Sequence, residues 1–133
     1  MTNNLQSHFL NLYSMALADF QIETLELEVL YNIGQEKGVS KSEIDNIILH
    51  PDNVRFTFPE TLEEKIIYLY DFAKIIIADG IVHENEIKTL ELFCCRFGFE
   101  EINAPIITDF LINAAKEDKA ADELLLIIKE NLN

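Results

Sequence analysis

The sequence predicts an all-α fold of about seven helices packed as a bundle. Apolar residues recur at helical spacing through most of the chain, and typical helix-start and helix-stop residues separate these stretches. No convincing series of alternating strands is present. The 133 residues are 49% hydrophobic, which is typical of one globular domain, here residues 1–133, with a core of its own.

A central helix is expected over residues 66–78, where apolar side chains cover nearly the whole circumference. A helix of this kind is normally buried by neighbours on several sides. Thr61 is followed by Glu64 three residues later, so the two predict a capping box in front of this helix. The side chains expected to be almost fully buried here and in the following helix are Leu69, Ala73, Ile76, Leu90 and Cys94.

The same patterns place the other helices. Ser40 and Glu43 form a second capping box, which opens a short helix that stops before Pro51. Gly38 is expected to end the preceding helix in a left-handed conformation. A linker covers residues 50–60, and the rings of Phe56 and Phe58 are expected to attach it to the core. The remaining helices are expected at about 5–18, 23–37, 84–97, 101–115 and 120–131.

The chain aligns with itself, without gaps, at a shift of 60 residues. Each half then consists of a helix, an acidic turn, a helix, a glycine stop and a further helix. This predicts a duplication with halves at about 5–49 and 61–115, related by a rotation near two-fold, with a C-terminal helix added. The matched pairs include Ala18 with Ala78, Asp19 with Asp79, Glu26 with Glu86, Leu30 with Leu90, and Gly38 with Gly98.

A short motif occupies the second acidic turn: Ala-Asp-Gly, a β-branched residue two positions later, and a glutamate seven after the aspartate. It is carried by Asp79, Gly80, Val82 and Glu86, with Leu90, Gly98, Pro59, Glu64-Lys65 and Leu69-Tyr70-Asp71 in support. This pattern resembles the TerB-like family, named for a bacterial tellurite-resistance protein, over about residues 9–99. Phe20 replaces the usual glycine in the first half.

The resemblance implies an all-helical fold with an acidic cluster on one surface. Members of the family are associated with tellurite and other chemical stresses, sometimes with metal ions and membrane-linked complexes. The family supplies no established catalytic reaction, so the resemblance adds a bacterial stress response as the expected setting.

The net charge of −14 narrows the classes of partner. A surface of this charge repels nucleic acid and anionic membranes, whereas a basic protein or a cation is compatible with it. No signal peptide or membrane-spanning run is recognisable, so a cytoplasmic location is expected. The adjacent Cys94 and Cys95 are expected to be reduced thiols that pack as small apolar groups.

The two acidic turns allow two interpretations. Asp79 and Glu86 are suited to accepting backbone N–H groups in the turn and at the start of the next helix. Alternatively, four carboxylates from both halves converge and bind a hard divalent cation, with His83 as a further candidate ligand. A standard calcium loop is excluded, because Ile75 and Ile77 occupy its first and third ligand positions. The four candidate carboxylates are Asp19, Glu26, Asp79 and Glu86.

No catalytic constellation is recognisable in the sequence. It has no phosphate-binding loop and no glycine-rich dinucleotide loop. Neither His8 nor His50 has an acidic residue or a cysteine at a spacing that would indicate a catalytic or metal site. The expected function is therefore a non-enzymatic, acidic helical module without a cofactor that binds a protein partner. The alternative is a divalent-metal-binding protein that uses the two acidic turns.

Overall fold

The computed structural model describes residues 1–16 and 24–132 of the chain. Within these residues it contains seven α-helices, a short 3₁₀ turn at Pro51–Asn53 and no strand, which confirms the predicted all-α class. The acidic turn predicted at 18–22 lies outside the described residues. The helices are α1 (Asn3–Ala16), α2 (Thr24–Glu36), α3 (Lys41–Leu49), α4 (Leu62–Ile77), α5 (Glu84–Arg96), α6 (Ala104–Lys116) and α7 (Ala121–Leu132).

Helix α4 is the centre of the bundle, since it contacts α1, α2, α5, α6 and α7. The five side chains predicted to be buried (Leu69, Ala73, Ile76, Leu90 and Cys94) are all 0% exposed, so that prediction is confirmed. The helix begins four residues earlier than expected, directly after its cap: the hydroxyl of Thr61 accepts the N–H of Glu64 at 3.2 Å. The Glu64 carboxylate accepts the side-chain amide of Asn4 at 2.8 Å and so ties α4 to α1.

Left-handed residues end three of the helices. Gly38 has φ +76° and Gly98 has φ +101°, as expected for Gly38 from the sequence. In both, the following N–H reaches back to the carbonyl five residues earlier, at 2.7 Å after Gly38 and 3.1 Å after Gly98. Asp118 ends α6 in the same way with φ +54°. Helix α6 starts at residue 104 instead of 101, which places Pro105 in its first turn, where a missing N–H costs little.

The linker is attached by polar side chains and by one of its two rings. Phe56 is 60% exposed, so the prediction is wrong for that ring, whereas the 46% exposed Phe58 meets the buried Phe97 edge-on at a centroid distance of 5.9 Å. The buried hydroxyl of Ser7 accepts the N–H of Thr57 at 2.9 Å and donates to the carbonyl of Arg55 at 3.1 Å. Successive side chains of an extended chain point in opposite directions. Because Thr57 faces α1, its two aromatic neighbours face away from it.

Several local features agree with the 60-residue shift. Helices α2 and α5 are both 13 residues long and start 60 residues apart. Two contacts between α1 and α4 join residues that the shift makes equivalent, namely Asn4 with Glu64 and His8 with Tyr68. Such contacts are expected where a two-fold axis passes between two helices. Helices α3 and α6 start at different positions in the two halves, and the duplication and its rotation remain predictions.

We expect the substitution Ile76→Ala to lower the free energy of unfolding by about 2–5 kcal/mol, because it removes buried methyl groups and leaves a cavity in the core. The matched control is Ile102→Ala, since Ile102 is 77% exposed. That change should alter stability by less than about 0.5 kcal/mol. Equilibrium denaturation measures both values, and a loss below about 1 kcal/mol at Ile76 would contradict the central position of α4.

Candidate functional site

The turn between α4 and α5 is held by the two acidic residues of the motif. One Asp79 oxygen accepts the N–H of Ile81 at 3.0 Å, and Gly80 takes φ +80° in the same turn. One Glu86 oxygen accepts the N–H of His83, the residue before α5, at 3.0 Å. Both bonds agree with the interpretation of these carboxylates as turn and cap residues.

The candidate metal ligands are only partly within the described residues, because Asp19 lies outside them. Glu26 and Glu86 are each 1% exposed and take the same place in the first turns of α2 and α5. The imidazole of His83 lies 3.9 Å from the Asp79 carboxylate. No group of three or more His, Cys, Asp or Glu side chains in the described part of the chain is arranged to hold a metal ion. The site that includes Asp19 remains a prediction.

A buried polar cluster joins three helices in the interior. The His8 ring on α1 lies 2.8 Å from the Asp71 carboxylate on α4, and both residues are at most 2% exposed. Lys37, just after α2, places its ammonium 3.1 Å from the same carboxylate oxygen. The sequence shows no acid partner for His8 at a recognisable spacing, and the structure supplies one from a distant part of the chain. The two residues are 63 positions apart, so spacing along the chain does not reveal the pair.

One sequence signal does point to this cluster. Asp71 and Lys74 are the only charged residues in the apolar run of the central helix. A carboxylate on an almost entirely apolar helix is buried only with a partner, because an unpaired buried charge is very costly. The sequence therefore indicates that Asp71 needs a cation or a donor, although it does not identify His8 or Lys37 as the groups that supply it.

The surroundings of His8 favour the neutral imidazole. Its ring stacks on Tyr68 at a centroid distance of 3.9 Å and meets the edge of Phe72. Burial lowers the pKa of His8, while the hydrogen bond to Asp71 acts in the opposite direction. A carboxylate only accepts, so Nε2 carries the proton and donates it to Asp71. The Nδ1 atom has no hydrogen-bond partner among the described residues. His8 and Asp71 are buried, so the cluster connects the helices in the interior.

The two cysteines differ in environment. Cys94 is fully buried beside the Thr108 hydroxyl, and burial raises the pKa of its thiol to about 11. A thiol with this pKa is almost entirely protonated at neutral pH and is a poor nucleophile. Cys95 is half-buried, and both thiols are free. Cys94 thus packs as a small apolar group, as expected.

An apolar groove lies between α4, α6 and α7. Its volume is about 360 Å³. Two of its residues expose much of their surface, Leu62 with 39% and Ile106 with 67%. The groove is lined by Leu62 and Ile66 of α4, Phe99, Asn103 in front of α6, Ile106, Ile107 and Phe110 of α6, and Ile128 of α7.

Neither a protein-family model, nor a curated protein, nor a solved structure matches the chain. The likeness of the Asp79–Glu86 motif to the TerB-like family therefore stays a resemblance. None of the described helices combines the length and the apolar composition needed to cross a membrane.

Acid should weaken the fold through His8. Because its pKa is lowered in the folded state, the unfolded chain binds more protons below the ordinary histidine pKa of about 6.5. Stability is therefore complete above that value and falls as the pH drops, by at most about 1.4 kcal/mol per pH unit for one proton. His8→Gln keeps a donor for Asp71 and should flatten the stability profile between pH 7 and 5.5.

The control for this experiment is His50→Gln, since His50 is exposed and its replacement should leave the profile of the wild-type protein unchanged. Urea denaturation at a series of pH values provides the measurement. An unchanged slope in the His8 variant would show that His8 does not titrate differently in the folded and unfolded states.

The double change Asp79→Asn and Glu86→Gln separates the two interpretations of the acidic turns. If Asp79 and Glu86 are turn and cap residues, replacing either should lower the free energy of unfolding by up to about 1 kcal/mol. The melting temperature should then be the same with a chelator and with added calcium, magnesium, manganese or zinc. This is the outcome we expect. A metal site predicts the opposite: a cation-dependent rise in melting temperature that the double variant loses, and a more stable variant in chelator.

Proposed function

We propose that this protein is a non-enzymatic protein-interaction module whose binding surface is the apolar groove between α4, α6 and α7. The single observation that carries the proposal is the exposed apolar lining of this groove. A soluble protein seldom leaves a concave apolar surface uncovered unless another molecule binds there. The resemblance to the TerB-like family adds a bacterial stress response, such as that to tellurite, as the expected setting.

Helix α6 supports this proposal because it carries two apolar stripes. The first faces the core and includes Ala104, Thr108, Leu111, Ile112 and Ala115, all of them buried. The second contributes Ile106, Ile107 and Phe110 to the groove and is only partly covered. A helix at the surface of a globular protein needs one apolar stripe for its own core. The second stripe is therefore available to a partner.

The charge of the molecule fits this role. A net charge of −14 keeps an exposed apolar groove from causing self-association, because like-charged molecules repel one another. The same charge favours encounters with basic proteins and disfavours nucleic acid. We accordingly propose a protein partner, and the groove supplies the contact that holds it.

The proposal is tested with two isoleucines that are both exposed but differ in position. Ile106 lines the groove, whereas Ile81 is 59% exposed and follows the opposite end of α4 from the lining residues Leu62 and Ile66. A photo-crosslinking amino acid at position 106 should trap a partner in the host cell, and the same group at position 81 should not. The trapped protein is then identified, purified and titrated against the wild-type protein.

In that titration Ile106→Asp should weaken binding about tenfold or more, because it places a charge in the apolar contact. Ile81→Asp, which adds the same charge away from the groove, should bind as the wild type does. Equal affinities for the two variants, or no protein trapped from position 106, would refute the groove as the interaction surface.

A further inference from the structure

We infer that the groove binds an amphipathic helix whose apolar stripe is flanked by lysine and arginine. This inference rests on the proposed function, since it identifies the occupant of the same groove. It depends on two independent features of the described residues: the helical spacing of the lining, and the charges around the rim.

The shape of the lining favours a helix. On the α6 side, Asn103, the pair Ile106-Ile107 and Phe110 follow one another at intervals of three or four residues, so they form one ridge along the helix. Two α4 residues four positions apart, Leu62 and Ile66, form the floor. Two helical walls above a helical floor present the ridges and grooves into which a further helix packs its side chains at i, i+3, i+4 and i+7.

The rim is acidic. Glu100 and Glu101 lie between two lining residues in sequence, Glu60 precedes the α4 lining, and Glu130 follows the α7 lining; all four are exposed. No ion pair joins these four carboxylates to a cation within the described residues. The neighbouring Glu63 is different, because it pairs with Lys129 of α7.

Two ammonium groups among the described residues contact residues in or beside the groove lining. One is Lys129, which the ion pair with Glu63 engages. The other is Lys65, whose ammonium is 6.0 Å from the centre of the Phe99 ring. Carboxylates thus outnumber ammonium groups around the groove, and a helix with lysine or arginine beside its apolar stripe matches both the lining and the rim.

A second copy of the chain is a poor occupant by the same reasoning. Each copy has a net charge of −14, and a dimer through this groove brings two acidic rims together. Repulsion between them opposes association, most strongly at low ionic strength. The charges therefore favour a basic partner over self-association.

The test uses three synthetic peptides with the same length and the same leucine stripe. Their flanking positions carry lysine, glutamine or glutamate, and fluorescence anisotropy gives each Kd at about 50 and about 300 mM salt. We expect the lysine peptide to bind roughly tenfold or more tightly than the glutamate peptide at low salt. The difference should shrink at high salt, because ions screen exposed charges. Ile106→Asp should abolish binding of all three peptides, and Ile81→Asp should not.

A second experiment tests whether Glu100 and Glu101 produce the preference for the lysine peptide. The double change Glu100→Gln and Glu101→Gln should weaken the lysine peptide by roughly two- to tenfold and leave the glutamine peptide unchanged. The matched control is Glu28→Gln with Asp52→Asn, which removes two exposed carboxylates from α2 and the 3₁₀ turn, neither of which lines the groove. Equal losses in both double variants would show a general effect of net charge and overturn the assignment of the rim.

The outcomes separate this inference from the proposed function. Equal affinities for the three peptides would overturn the basic partner while leaving the groove as an interaction surface. If no peptide binds but a natural partner still loses affinity with Ile106→Asp, the occupant is not an amphipathic helix. A dimer in sedimentation velocity that disappears with Ile106→Asp would show that a second copy occupies the groove. If both the peptides and the cellular crosslink fail, the proposed function fails as well.

Discussion

The burial of Asp71 in the middle of α4 is the constraint on which the rest of the structure depends. A carboxylate that is 1% exposed within an apolar helix is tolerated only if hydrogen bonds and a counter-charge surround it. His8 supplies the donor at 2.8 Å and Lys37 the charge at 3.1 Å. Because these groups come from α1 and from the end of α2, both must meet α4 at one point. The cluster therefore ties α1 and the end of α2 to one point on α4.

The position of α1 against α4 then determines where the linker runs. With His8 stacked on Tyr68, the turn of α1 that holds Asn4 and Ser7 lies next to the chain that leads into α4. The Ser7 hydroxyl bonds to that chain on both sides of Phe56, and the Asn4 amide donates to Glu64 at the start of α4. The hydrogen bonds of Asn4 and Ser7 thus connect α1, which carries His8 of the interior cluster, to the start of α4. The same start of α4 forms the floor of the groove.

Patterns within short stretches of sequence predicted the features that depend on residues close together in the chain. Helix positions, the glycine stops, the core side chains of α4 and the turn bonds of Asp79 and Glu86 each depend on residues within a few positions of one another, so periodicity and capping rules identify them. The pairing of His8 with Asp71 joins two helices, and no spacing in the chain encodes it. The linker was predicted only in part, because hydrophobicity favours burial of both rings, whereas the bond from the Thr57 hydroxyl to Asn4 turns both neighbours away from α1 and Phe58 still meets Phe97. The groove is even harder to predict from the sequence. The sequence shows that α6 has apolar side chains on two sides, but not which side its neighbours leave uncovered.

The groove owes its shape to contacts that do not involve any partner. At the turn between α6 and α7, the Tyr70 hydroxyl of α4 donates to the carbonyl of Lys119 at 2.6 Å and lies 3.2 Å from that of Ala114. Toward the other end of α7, the ion pair between Lys129 and Glu63 connects this helix to the start of α4. Both walls are therefore held against the floor in the free protein. A preformed groove loses little conformational entropy when it is filled. On the proposed function, the affinity for a partner would therefore depend on how well a few apolar side chains fit between α6 and α7 and on the charges beside them.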